Sequence, residues 1–212
     1  MEPVGESFHI LRVTVLNHIV LPSVIAVTAA SNDDGGTCVA CGLARAFAQT
    51  GRRTLIVDAN PGKRTVGSEL GIPEPPVSRQ ATVRETGFLN LSLAALPRRE
   101  SADAAFDVGR FVSEMRSEYT ITIIDAAPIA TSSLSIEVAQ AADTVLLAVR
   151  LGRRLRKADH DLRKLLADLN TNVLGVVPTR AGRDDHAARP PKANEQRPRS
   201  AQVSLLRSRR AM

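Results

Sequence analysis

Val24–Arg45 reads VIAVTAASNDDGGTCVACGLAR, and it passes from an apolar run through a polar, glycine-bearing segment into an apolar repeat of helical period. Val24 to Val27 is short and continuously apolar, as in a strand covered on both faces. Val39, Ala40, Leu43, Ala44, Phe47 and Ala48 recur at three- and four-residue spacings, and Gln49-Thr50-Gly51 stops the helix with Gly51 as a left-handed cap. Ser31-Asn32-Asp33-Asp34-Gly35-Gly36-Thr37 lies between the two. A strand that breaks into such a loop and re-enters as a helix is the outline of a phosphate-binding loop. There, backbone N–H groups and the helix N-terminus converge on anionic oxygens, a lysine neutralises the β/γ-phosphates and a Ser/Thr hydroxyl holds Mg²⁺.

The hydroxyl is present as Thr37 and the lysine is missing. In the pattern G-x-x-x-x-G-K-S/T the lysine position is Gly36 and the first glycine position is Ala30, and no Lys occurs between Val24 and Gln49. Asp33 and Asp34 add two carboxylates where a triphosphate would sit. A close like-charge pair costs on the order of 3 kcal/mol at ~5 Å and an effective dielectric of ~20. The loop keeps the shape and inverts the charge, and a strand–turn–helix that binds no ligand satisfies the same pattern.

Outward from this stretch, Glu6 to Leu16 forms a helix with Phe8, Leu11 and Val15 on one face and Glu6, His9 and Arg12 on an adjoining stripe. Arg53 to Asp58 and Ile121 to Asp125 are buried strands that each end in a carboxylate, and in open parallel sheets the carboxyl ends of strands line the ligand crevice. Residues 59–90 read as loop with a helical turn near Val66 to Leu70, interrupted by Pro73-Glu74-Pro75-Pro76. Leu89 to Leu96 is a strand, Ala102 to Tyr119 a helix striped by Phe111, Val112 and Met115, and Leu134 to Ala141 a helix. Thr144 to Val149, Leu155 to Leu169 and Val173 to Val177 add a strand, a basic helix and a last strand. Alternating strands and helices predict an α/β fold, a mainly parallel sheet flanked by helices with right-handed crossovers.

Composition agrees. The 212 residues include no Trp, one Tyr and five Phe, so the core must come from Val, Leu, Ile and Ala, as parallel strands under helices require. The net charge of +6 is concentrated in residues 181–212, where eight Arg or Lys meet three acids, net +5. Few apolar residues accompany them, and this stretch reads as a disordered basic tail able to touch anionic membrane. Residues 1–180 are close to neutral, which argues against a nucleic-acid partner. The organisation expected is an N-terminal helix over 1–20, a domain over 21–180 and the tail. Two cysteines, Cys38 and Cys41, suit a reducing, cytoplasmic setting and read as two small buried helix residues. The N-terminal residues carry no secretory-leader pattern.

With LIVDAN at Leu55–Asn60, ITIIDAAP at Ile121–Pro128 and the loop in place, the chain resembles the bacterial tyrosine kinases. These are the capsule and exopolysaccharide chain-length regulators among the MinD/ParA-like deviant P-loop ATPases. ESFHILR, LARAFAQTGRRTLIVDAN, LNLSLAALP, AADTVLLAVRLG and NVLGVVPTR extend the likeness over about residues 5–180. The resemblance implies a Rossmann-like P-loop NTPase fold with ATP and Mg²⁺ in the loop. It also implies a catalytic Asp58, a metal-linked Asp125 with Thr37 in the Mg²⁺ site, and a membrane adaptor for polysaccharide chain length and export. That adaptor would hold the chain at the inner face of the membrane.

Residue by residue, the family's glycine, acid, glycine, lysine, serine, threonine loop becomes Asp33, Asp34, Gly35, Gly36, Thr37, Cys38. The second carboxylate after the second strand becomes Asn60, and the adenine-reading asparagine becomes Thr179. The N-terminal motif of ring assembly is reduced to Glu6, His9 and Arg12 at a homo-oligomer interface, and the C-terminal tyrosine cluster is absent. Three readings stand: a regulatory scaffold of exopolysaccharide or capsule export with weak or absent ATP use; a working kinase or ATPase that substitutes Lys63, Arg64 or a partner's residue; and a MinD/ParA-like positioning ATPase.

Overall fold

Strand and helix alternate along the chain because the apolar runs are short and separated by amphipathic segments. The computed structural model describes residues 5–60, 65–75, 81–97, 106–152 and 157–179. The strands are β1 Ser23–Ala29, β2 Thr54–Ala59, β3 Thr82–Glu85, β4 Leu91–Ala95, β5 Ile121–Ala126, β6 Thr144–Arg150 and β7 Val173–Thr179. They form one sheet in the order β3-β4-β2-β5-β1-β6-β7. All neighbours are parallel except β3 with β4. The helices are α1 Glu6–Leu16, α2 Gly36–Ala48, α3 Val66–Leu70, α4 Val108–Glu118, α5 Ser133–Ala141 and α6 Lys157–Asp168.

The sheet is the middle of three layers. β1, β2 and β5 are buried at every position, because helices cover both faces. Ile25, Val27, Ile56, Ile121 and Ile123 pack with α1, α2 and α3 on one side, and Val24, Ala26, Leu55, Val57 and Ile124 with α4, α5 and α6 on the other. Phe47 on α2 is fully buried, which stabilises the fold by about 1.5–3 kcal/mol on transfer terms. α1 joins this core through Leu11 and Val15, as its apolar face predicts. Its Phe8 lies over Gly42 so closely that a Cβ there would meet the ring at 2.4 Å.

The structure departs from the sequence reading at β3 and at the start of α4, while β4 starts at Leu91 and β7 runs on to Thr179. Thr82–Glu85, expected as loop, pairs antiparallel with β4 as an edge strand. It is four residues long, with Thr82, Val83 and Glu85 exposed, so it lacks the burial that gives strands their apolar signature. α4 starts at Val108 because Asp107 caps it, accepting the Arg110 N–H at 2.8 Å. The proposed cations Lys63 and Arg64, the run Arg153 to Arg156 and the tail 181–212 lie outside the described residues. Among the described residues no helix is long and apolar enough to cross a membrane.

Candidate functional site

The loop after β1 is built from its own side chains. Ser31 precedes a 3-10 turn over Asn32–Asp34, and Asp34 Oδ2 accepts the Ser31 N–H at 3.1 Å, satisfying a donor that a helix start leaves open. Asp34 is fully buried, whereas Asp33 is exposed. The expectation that Asp34 lies in the phosphate space is therefore corrected, since its carboxylate folds back to brace the loop. Gly35 has φ +81°, the left-handed region that favours glycine. A Cβ on it would also come within 3.2 Å of Thr179. Thr179, at the end of β7, donates its hydroxyl to the Asp34 carbonyl at 2.7 Å.

α2 begins at Gly36, which puts the Thr37 hydroxyl at the carboxyl edge of the sheet. There β2 and β5 run side by side with Asp58 in register with Asp125. Each shares its strand face with an isoleucine, Ile56 and Ile123, that packs under α2. Both carboxylates thus turn toward the helix that carries the loop. The loop, Asp58 and Asp125 occupy one edge, as the sequence predicts.

Hydrogen bonds link the side chains there. Thr37 Oγ1 donates to Asp125 Oδ2 at 2.8 Å and lies 3.2 Å from Thr65 Oγ1. Asp58 accepts the Asn60 N–H at 3.0 Å on Oδ1, and the Thr65 and Val66 N–H groups at 3.3 and 3.5 Å on Oδ2. Burial drives the Asp125 carboxyl up to about 7; the Thr37 hydrogen bond opposes the rise, and the charges of Asp58 and Glu69 add to it. Asp125, buried beside the Asp58 carboxylate and held toward protonation, marks a place where a cation is electrostatically favoured. A hydroxyl and two carboxylates are hard oxygen donors that fit Mg²⁺. Among the described residues no three His, Cys, Asp or Glu are arranged to hold a metal, so oxygens of a bound ligand would have to complete its shell.

The other candidates fall elsewhere. Cys38 is exposed and Cys41 buried, correcting the expectation of two buried cysteines. Although Cys38 is exposed as a residue, desolvation of its thiol, followed by Glu69, pushes it up to about 11, and burial raises Cys41 well above its usual range. Neither is an activated nucleophile. Glu6, His9 and Arg12 sit on α1, whose Phe8 meets α2 at Gly42. Tyr119 is 5% exposed at the opposite edge of the sheet, under the Arg53 guanidinium. Thr65 was not singled out from the sequence. Its signal was local: it caps the helical turn that follows LIVDAN.

Comparison with known proteins places this geometry. The profile described as the CobQ/CobB/MinD/ParA nucleotide binding domain matches residues 25–207. The succinoglycan biosynthesis transport protein ExoP of Rhizobium meliloti (strain 1021) is 26% identical over 170 residues, 73% of this chain. The chain spans 22% of that relative's length. In fold it is similar to the kinase domain of the Escherichia coli tyrosine kinase ETK, with TM-score 0.71, 16% identity, and coverage of 90% of this chain and 80% of that one. It is also similar to cobyrinic acid a,c-diamide synthase from Mycobacterium smegmatis, solved with an ATP analog and magnesium. There the TM-score is 0.63 and identity 18%, covering 74% of each chain.

Proposed function

The chain belongs to the CobQ/CobB/MinD/ParA nucleotide-binding domain family, and from that premise we propose that it is a kinase-like regulatory scaffold of exopolysaccharide or capsule export. In this reading it uses ATP weakly or not at all, and a membrane partner concerned with chain length holds it at the inner face of the membrane. The observation that carries the proposal is the loop: its fold is intact, its cation position is Gly36, and the Thr37 hydroxyl is engaged by Asp125. Mg-ATP, when bound, supplies an electrophilic phosphoryl group and a divalent charge. Thr37, Asp58 and Asp125 are the residues that would hold the metal. Without a lysine the developing charge on the phosphoryl oxygens meets only backbone N–H groups within the loop.

Two further features support the scaffold. The single tyrosine is buried at the far edge of the sheet, so a tyrosine-directed reaction of the chain on itself has no accessible acceptor. α1 exposes Ile10 and Val13, and the segment after it exposes Val20 and Leu21, apolar surface of the kind that interfaces cover. The likeness to ExoP supports the pathway.

The retained hydroxyl and carboxylates favour a second reading, a slow ATPase or kinase with a cation from elsewhere. Complementation separates the two. In a strain lacking the gene, the wild type and Thr37→Val should restore polymer yield and chain length equally, and both should co-purify with the membrane export partner. A Thr37→Val protein that is folded and partner-bound yet fails to restore polymer would overturn the scaffold in favour of the enzyme.

A further inference from the structure

Arg150 ends β6, and the sheet carries it to the side of the loop away from the carboxylates. β6 lies between β1 and β7. On the β1 side Ala148 pairs with Ala29, so Arg150, two residues further on, stands level with Ser31 at the start of the loop. On the β7 side Arg150 pairs with Thr179, the residue whose hydroxyl holds the Asp34 carbonyl and whose side chain fills the space beside Gly35.

The face is fixed by strand alternation. Leu146 and Ala148 of β6, and Val177 of β7, pack into the core beneath α2. Side chains two residues apart share a face, and register partners on parallel strands project the same way. Arg150 and Thr179 therefore emerge on the α2 face at the carboxyl edge, where the loop sits. Arg150 is half-exposed, and the 3-10 turn rests against β6. The loop is thus flanked by Asp58 and Asp125 on its β5 and β2 side and by a guanidinium on its β6 and β7 side.

We propose that Arg150 is the phosphate-binding cation of this site, reaching the oxygens of a nucleoside polyphosphate from the flank of the loop in place of the lysine absent at Gly36. The inference rests on the second reading above, in which the loop still takes a nucleotide with a cation from elsewhere, and it adds the residue that supplies that cation. A guanidinium suits this position. It stays charged at all working pH values, offers two parallel N–H groups to a phosphate, and is more weakly hydrated than an ammonium. A lysine at position 36 would have its Cβ 3.9 Å from Asp125 Oδ1. A cation on the β6 flank instead stands across the loop from Asp58 and Asp125 and does not compete with a metal for their carboxylates.

The test is calorimetry on the full chain with Mg-ATP and, separately, with sodium tripolyphosphate. The wild type, Arg150→Ala, Arg150→Gln, Arg150→Lys and Arg52→Ala are compared. Arg52 lies at the opposite edge of the sheet, where it donates to Thr50, and controls for net charge. Arg150→Ala and Arg150→Gln should weaken both probes about tenfold or more, Arg150→Lys should retain part of the affinity, and Arg52→Ala should change it less than twofold. Melting curves show which variants are folded, and the glutamine and lysine variants keep the comparison available if alanine destabilises β6. Binding by Arg150→Gln within twofold of wild type would overturn the proposal, as would an equal loss in Arg52→Ala or an effect on ATP but not on tripolyphosphate. A wild type that binds neither probe at millimolar concentration, yet co-purifies with its membrane partner and restores polymer, would overturn this inference and leave the scaffold standing.

Discussion

Replacing Asp125 with Asn should change how the stability of the protein depends on pH. The folded carboxyl titrates at about 7 against a reference of 3.8, chiefly because it is buried. Between those values the folded chain holds a proton that the unfolded chain has released, so stability falls as pH rises from about 4 to about 7 and then levels off. About three pKa units at ~1.4 kcal/mol each gives an effect on the order of 4 kcal/mol. Asn keeps the shape and an oxygen acceptor for the Thr37 hydroxyl, but it carries no titrating proton. Urea unfolding followed by far-ultraviolet circular dichroism suits a chain without Trp, and pH steps from 4.5 to 8 cover the window. The stability of the wild type minus that of Asp125→Asn should decline by several kcal/mol across it. Adding Mg²⁺ at pH 8 should recover part of the loss in the wild type alone, since the ion favours the ionised carboxylate. A difference that stays constant within about 1 kcal/mol, or that grows with pH, would refute the reasoning that the buried carboxylate, once ionised, destabilises this edge.

Three other outcomes follow from the same structure. Gly36→Lys with Asp33→Gly should create or strengthen Mg-ATP binding in calorimetry. The position has a helical backbone and open contacts at 3.9 Å, and each charge change acts at the scale of ~3 kcal/mol before geometric losses. Gly42→Ala should cost about 1–3 kcal/mol in chemical denaturation by forcing Phe8 off α2; combining it with Phe8→Ala should make the second change less than additive. Thr179→Val should cost about 1 kcal/mol and speed amide exchange of residues 32–36 while leaving that of β2 and β5 unchanged.

The parts of the fold legible in the sequence are those with a local apolar signature. Val24 to Val27, Leu55 to Val57 and Ile121 to Ile124 could be only buried strands, and the acids that end two of them had to reach the ligand edge. β3 escaped because an exposed edge strand such as Thr82–Glu85 has no such signature. At the site, the hydroxyl and the two carboxylates were readable as motif positions. The direction of Asp34 was not inferred, although Ser31-x-x-Asp34 resembles a capping pattern and the structure uses the carboxylate in that way. Thr179 enters the sequence reading only through the family resemblance, and Arg150 does not enter it, for a different reason. Their nearness to the loop depends on strand order and register between segments more than a hundred residues apart, and no local spacing encodes that.

The hydrogen bond from the Thr179 hydroxyl to the Asp34 carbonyl joins positions 145 residues apart, which sets an order of assembly. The 3-10 turn and the start of α2 are made of contiguous chain and can form early. Their last brace exists only once β6 has paired with β1, a pairing of segments more than a hundred residues apart, and β7 has docked on β6. Long closures of this kind are entropically late. A nascent or truncated chain that stops at β6 would carry a loop of the right sequence with Gly35 uncovered on the Thr179 side. Competence of the loop is therefore conferred by the final strand, and a ligand at the loop would favour chains in which that strand is already in place.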